Sequence, residues 1–110
     1  MKTKEVKAMD DKSPVLDVQE AKAVFAFGYL ILYVKGDKST PCHNIDIERS
    51  LLTVEPPTFI VTQTLPAGTI CTQVVTPFEF SKSFFIGVFR DSIKIVDSQE
   101  TKEILVKQFK

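Results

Sequence analysis

Neither sign of charge prevails in this sequence: 14 Lys and Arg stand against 14 Asp and Glu, and the 110 residues carry a formal net charge of zero. Phosphate backbones are held by clustered cations. Arginine occurs only as Arg49 and Arg90, and no Lys-rich face follows the opening stretch, so nucleic acid is not an expected partner. Long apolar runs are missing too. The longest, Ala21 to Val34, carries Lys22 and stops at Lys35, short of the ~18 apolar residues a membrane span requires. Glycine is scarce, and none of the four residues has a second at the spacing of a phosphate-cradling loop. His43 is the only histidine. Helical periodicity is absent throughout. The start, Met1 to Val6, is basic but has no apolar segment behind it, so it does not read as a signal peptide. The chain as written is expected in the cytoplasm, or outside it if a targeting segment has been removed.

What is present is enough for a core: 44% hydrophobic residues with nine Phe, in a length that suits one domain. Residues 1–13 mix Lys, Glu and Asp with few apolar side chains and are expected to form a mobile arm. The domain then runs over 14–110. Pro14 to Glu20 reads as a strand or extended lead-in, with the start of a weak helix running into Ala21 and Ala23 as the alternative. Ala23 to Lys35 is the strongest strand signal, apolar on both faces, with Phe25, Phe27, Tyr29, Ile31 and Tyr33 on one side. Gly28 inside it suggests a bulge or a close backbone approach, and Gly36 to Pro41 reads as a polar turn.

Further strands are expected over His43 to Leu52, Thr58 to Leu65 and Ile70 to Val75, with Pro56-Pro57 and Pro66-Ala67-Gly68 as breaks. Phe78 to Phe89 is aromatic enough to supply most of the core volume. Ser92 to Val96 and Glu103 to Val106 read as a hairpin. Short strands punctuated by Gly, Pro and Asp predict an all-β fold: a single antiparallel β-sandwich, immunoglobulin-like, of about seven or eight strands.

Chemistry-bearing residues are few. Cys42 and Cys71, the only cysteines, form a bridge in an oxidising compartment, where it contributes roughly 3 to 4 kcal/mol, or pack as thiols in a reducing one. Cys42 and His43 adjoin, but neighbours in a strand point to opposite faces, so a Cys–His catalytic pair is not expected. A zinc site from Cys42, His43 and Cys71 lacks a fourth ligand. Asp46, Glu48, Glu55 and Glu79 stand singly rather than in the converging pairs that acid–base work needs. No catalytic residue, metal or cofactor is therefore expected. Gln73, Thr76, Pro77 and Glu79 suit an exposed edge and loop that meets a partner; equally, the polar ones suit backbone groups at a proline bend. Phe85, if it faces outward, adds an apolar contact.

Thr40-Pro41-Cys42-His43, followed by Cys71-Thr72-Gln73-Val74-Val75-Thr76-Pro77-Phe78-Glu79, resembles a motif pair in small, mostly uncharacterised bacterial β-sandwich domains. Those domains open a strand with Pro-Cys-His or Pro-Cys-aromatic and later carry Cys-x-Gln-x-x-Thr-Pro-Phe/Tyr. The similarity spans Tyr29 to Phe89. It implies a Cys42–Cys71 bridge and an extracytoplasmic site, and no known activity. The functional expectation is a non-enzymatic binding or structural module that meets a protein partner through a sandwich edge or loop end. The alternative is a carrier of a small molecule or lipid in an apolar cavity between the sheets.

Overall fold

Alternating apolar side chains produce eight strands in the computed structural model, which describes residues 10–51 and 55–109; no helix occurs among them. The strands are β1 (Asp11–Pro14), β2 (Asp17–Ala26), β3 (Tyr29–Lys38), β4 (Asn44–Arg49), β5 (Thr58–Leu65), β6 (Thr76–Phe85), β7 (Ser92–Val96) and β8 (Thr101–Gln108). Residues 1–9 of the expected arm lie outside the described residues, as does Leu52. Asp11 to Pro14 pair with Leu65 to Thr62 of β5.

The fold is all-β, but not the antiparallel immunoglobulin-like sandwich that the strand spacing suggests. One sheet runs in the order β1-β5-β7-β8-β2-β3-β6, with β4 on the other edge of β5. Two of its pairings are parallel: β5 with β7 (Phe59 opposite Ile95) and β2 with β8 (Val24 opposite Lys107). Side-chain alternation reports which face a residue occupies and is silent on strand direction. β8 makes the sheet continuous, since Thr101 to Leu105 pair with β7 and Val106 to Gln108 with β2.

The sheet curls until its edge strands β4 and β6 approach. Lys82 of β6 spans the gap, with Nζ 2.9 Å from Asp46 Oδ1 and 3.0 Å from the Ile47 carbonyl oxygen. Inside the curl, Leu30, Leu32, Ile47, Phe59, Val61, Ile93 and Ile95 are almost wholly buried. Each such side chain contributes about 1.5 to 3 kcal/mol relative to exposure. The aromatic run from Phe78 to Phe89 supplies less of this core than expected. Phe78 is buried, Phe80, Phe84 and Phe89 are half-buried against the core, and Phe85 is exposed. β6 is an edge strand, so only its inward alternate positions reach the interior.

The expected single strand over Ala23 to Lys35 is two strands. β2 ends at Ala26, and β3 begins at Tyr29 after the two-residue turn Phe27-Gly28. Both turn residues have positive φ, 53° and 85°, which is what a type I′ hairpin loop demands. β3 then continues to Lys38, through the Gly36 to Lys38 stretch that composition marks as a turn. Ile70 to Val75, expected as a strand, has no ladder partner. Pro77 lies exposed in the outer part of β6, where its missing N–H costs no ladder bond on the unpaired edge.

Candidate functional site

Cys42 and Cys71 form a disulfide with Cα atoms 6.1 Å apart. It joins the β3–β4 connection to the unpaired segment before β6. His43, beside it in sequence, is buried, and its Nδ1 shares a hydrogen bond with Thr40 Oγ1 at 2.7 Å. Its carbonyl oxygen accepts from Lys38 Nζ at 2.8 Å. The sulfur nearest in sequence is thus bonded to Cys71, and the imidazole is engaged by a threonine. Among the described residues no group of three His, Cys, Asp or Glu is placed to hold a metal ion.

Phe85 lies apart from the other expected contact residues. Gln73 is exposed, and its Nε2 donates to the Cys71 carbonyl oxygen at 3.3 Å; Thr76 Oγ1 donates to Val74 O at 2.8 Å. These bonds serve the backbone beside the disulfide. Pro77 and Glu79 lie opposite Asp37 and Lys35 and, with Phe78, line a shallow depression of about 220 Å³. Phe85 stands eight residues along β6 from Pro77, roughly 26 Å away at strand rise. It pairs with Tyr29 at the opposite end of the sheet. A larger open depression of about 410 Å³ is lined by Glu55, Pro56, Phe89, Arg90, Asp91 and Ser92. Arg90 Nε bonds Glu55 Oε1 there at 3.1 Å.

The end that holds Phe85 exposes a group of large aromatic side chains. Phe27, at the β2–β3 turn, is 91% exposed, and Phe85 is 69% exposed. Tyr29, Ile31 and Phe109 are exposed beside them. Phe27 and Phe109 rings lie 6.2 Å apart, and Tyr29 and Phe85 rings meet edge to face at 5.3 Å. Strand register explains the grouping. Ala26, Tyr29 and Phe85 form one row across the outer face, and Lys107, Val24, Ile31 and Ser83 form the next. Successive rows on one face alternate with rows that point into the curl.

Gly28 permits this arrangement. Its carbonyl oxygen accepts the N–H groups of Ile86 and Gly87, and a Cβ there would stand 2.9 Å from the Phe85 ring. Phe27, Tyr29 and Ile31 escape a reading from sequence because Ala23 to Lys35 looks uninterrupted, and Phe109 because it lies beyond the last expected strand, Glu103 to Val106. The signal was Gly28 inside the run, a residue that accepts the positive φ of a hairpin turn. No known protein family, curated protein or solved structure matches the chain.

Proposed function

We propose that this chain is a non-enzymatic binding module that works through the loop end of its curled sheet where β2 turns into β3. The observation that carries the reading is the exposed aromatic group of Phe27, Tyr29, Phe85 and Phe109 on a rigid, hydrogen-bonded scaffold. Contiguous exposed apolar surface marks contact sites on soluble folds. Aromatic side chains give large contact area for little lost conformational freedom. The Cys42–Cys71 bond supports an oxidising, extracytoplasmic setting. Kinship with the bacterial domains that share the Pro-Cys-His and Cys-x-Gln motifs belongs to the same reading.

The test uses immobilised protein and an extract of its native cells, with bound protein and lipid identified by mass spectrometry. Y29T/F85T should lose the specifically bound material, whereas Q73A/E79Q, at the disulfide end, should keep it. The reverse pattern would move the contact site to the Gln73–Glu79 segment. Binding that survives both changes would remove the loop-end reading.

A further inference from the structure

We infer that the partner of the Phe27 end is the surface of an anionic lipid bilayer. The inference rests on the binding-module reading above and specifies what is bound. Phe27 is placed at a cost to the fold. A bulky side chain at φ 53° is sterically disfavoured, and its ring, 91% exposed, gains almost nothing from the core. Asparagine or aspartate is the ordinary residue at this turn position. An aromatic ring held at the tip of a tight turn projects rather than forming a groove, and suits a soft, flat, apolar-backed partner.

Charge follows the same axis. From Lys22 through the turn to Lys35 the sequence has no carboxylate, and from Ile104 through Phe109 it has none. Lys107 faces outward opposite Val24, one outer-face row behind Ala26 and Tyr29. That places its backbone roughly 7 Å behind the aromatic row at strand rise. The depth is that of lipid headgroups when an apolar edge enters by about 5 to 10 Å. Lysine stems there lie along apolar surface and carry the ammonium to phosphate. Lys22, one row further back, sits over the Tyr33 ring and pairs with Glu20 at 3.2 Å. Among the described residues, apart from the exposed Asp91 level with Val106, carboxylate-bearing positions on this face begin at the row of Glu20, Lys35 and Glu79, whose backbone is roughly 20 Å from the aromatic row. Across β8, Asp91 accepts the Val106 N–H through its carbonyl oxygen and follows Arg90, which is engaged by Glu55. Rings at the tip with cations one and two rows behind them are the arrangement that interfacial segments use.

The experiment is co-sedimentation of the full chain with vesicles of phosphatidylcholine alone and with vesicles that also contain phosphatidylserine. Wild type should bind the serine-containing vesicles more tightly, by about fivefold for each engaged lysine, with the difference shrinking as salt rises. K107Q should lose about fivefold on those vesicles and little on phosphatidylcholine. F27N should bind both at least about tenfold more weakly with no fall in thermal midpoint, because Asn accepts positive φ. F27W, the only Trp in the chain, should shift its emission to the blue with serine-containing vesicles. Absence of wild-type binding, or binding indifferent to F27N and K107Q, overturns the proposal. So does a stable dimer in light scattering that F27N abolishes without any vesicle binding, which would assign the face to a second copy. Vesicle binding that fails while Y29T/F85T still removes a protein captured from extract would overturn the bilayer and leave the binding-module reading standing.

Discussion

Lys82 and Asp46 hold the two edges of the curled sheet together: Lys82 Nζ on β6 lies 2.9 Å from Asp46 Oδ1 on β4 and also donates to the Ile47 carbonyl. No ladder joins β4 to β6, so this ammonium does the work that strand pairing does elsewhere. Its stem crosses the interior side of β6 opposite Leu32, with Nζ 5.2 Å from the Phe84 ring centroid. K82M keeps the stem and deletes the donor. It should lower stability by about 1 to 2 kcal/mol, a charged hydrogen bond discounted for partial exposure. Amide exchange should speed up in β4 and β6 before the β7–β8 hairpin. Unchanged exchange in both edges would mean that the gap needs no clasp.

The same contact gives a pH signature. Partial burial alone would raise the Asp46 carboxyl pKa, but the Lys82 hydrogen bond, the Ile47 N–H and the charges of Lys82 and Lys12 together hold it below its ordinary value of 3.8. The folded chain therefore takes up this proton less readily than the unfolded chain does. The contribution is complete above about pH 5 and drains away as pH falls through the lowered folded value. Denaturation curves of wild type and D46N should differ at neutral pH and converge in acid. The side chain is half exposed, so the difference should stay below about 1 kcal/mol. A gap that widens in acid contradicts the assignment.

Asp97 is a second anchor, and a buried one. Its Oδ2 accepts the Val18 N–H at 2.8 Å, while Oδ1 accepts those of Gln99 and Glu100 at 2.8 and 2.9 Å. One carboxylate thus shapes the β7–β8 turn and fastens it to the start of β2. D97A leaves three backbone donors without this partner and should cost about 2 to 4 kcal/mol in urea unfolding. D97N keeps the acceptor oxygen on one side only and should fall between. Equal stability of D97A and wild type would show that water replaces the carboxylate.

Gly36 and Gly68 test backbone crowding against backbone strain. Gly36 lies buried in β3, and an added Cβ would overlap the Asp17 carbonyl oxygen and sit 3.0 Å from Val18 Cα. Gly68 has φ +78° with open space around it. G36A should cost about 1 to 3 kcal/mol or more, since backbone must move. G68A should cost about 1 to 2 kcal/mol through its positive φ alone. The order G36A worse than G68A, read from thermal midpoints, is the outcome that crowding requires.

Some of this architecture was legible in the sequence. β5 and the β7–β8 hairpin show clean alternation bounded by Pro, Gly or Asp, and they form where expected. β1 was hidden because Asp11 to Pro14 carry no apolar alternation: Asp11 and Lys12 are exposed, and Ser13 Oγ accepts a hydrogen bond from Gln63 Nε2. The Phe27-Gly28 turn was hidden because apolar residues continue on both faces across it, and Phe-Gly lacks the usual polar turn residue. Missing that turn concealed the candidate site. With it in place, Tyr29 and Ile31 face out and Leu30, Leu32 and Val34 face in. Phe85 alone was legible, as the outward neighbour of the half-buried Phe84. Parallel pairing of β2 with β8 joins residues far apart in the chain and leaves no local pattern.

The disulfide sets up the most local of these outcomes. Residues 66–75 have no ladder partner, and Ile70, Val74 and Val75 are exposed. Cys71 ties the middle of that segment to Cys42, next to the buried Thr40–His43 contact. Removing the bond releases the segment from the fold and also enlarges the conformational freedom of the unfolded chain. C42S/C71S should therefore lose about 2 to 4 kcal/mol of stability, and limited proteolysis should first cut within residues 66–75, while β5 and β6 stay protected. Intact mass before and after reduction and alkylation establishes that the bond is present in the wild-type sample. First cuts in β3 or β6 instead would mean that the bridge supports the sheet itself rather than the segment it holds.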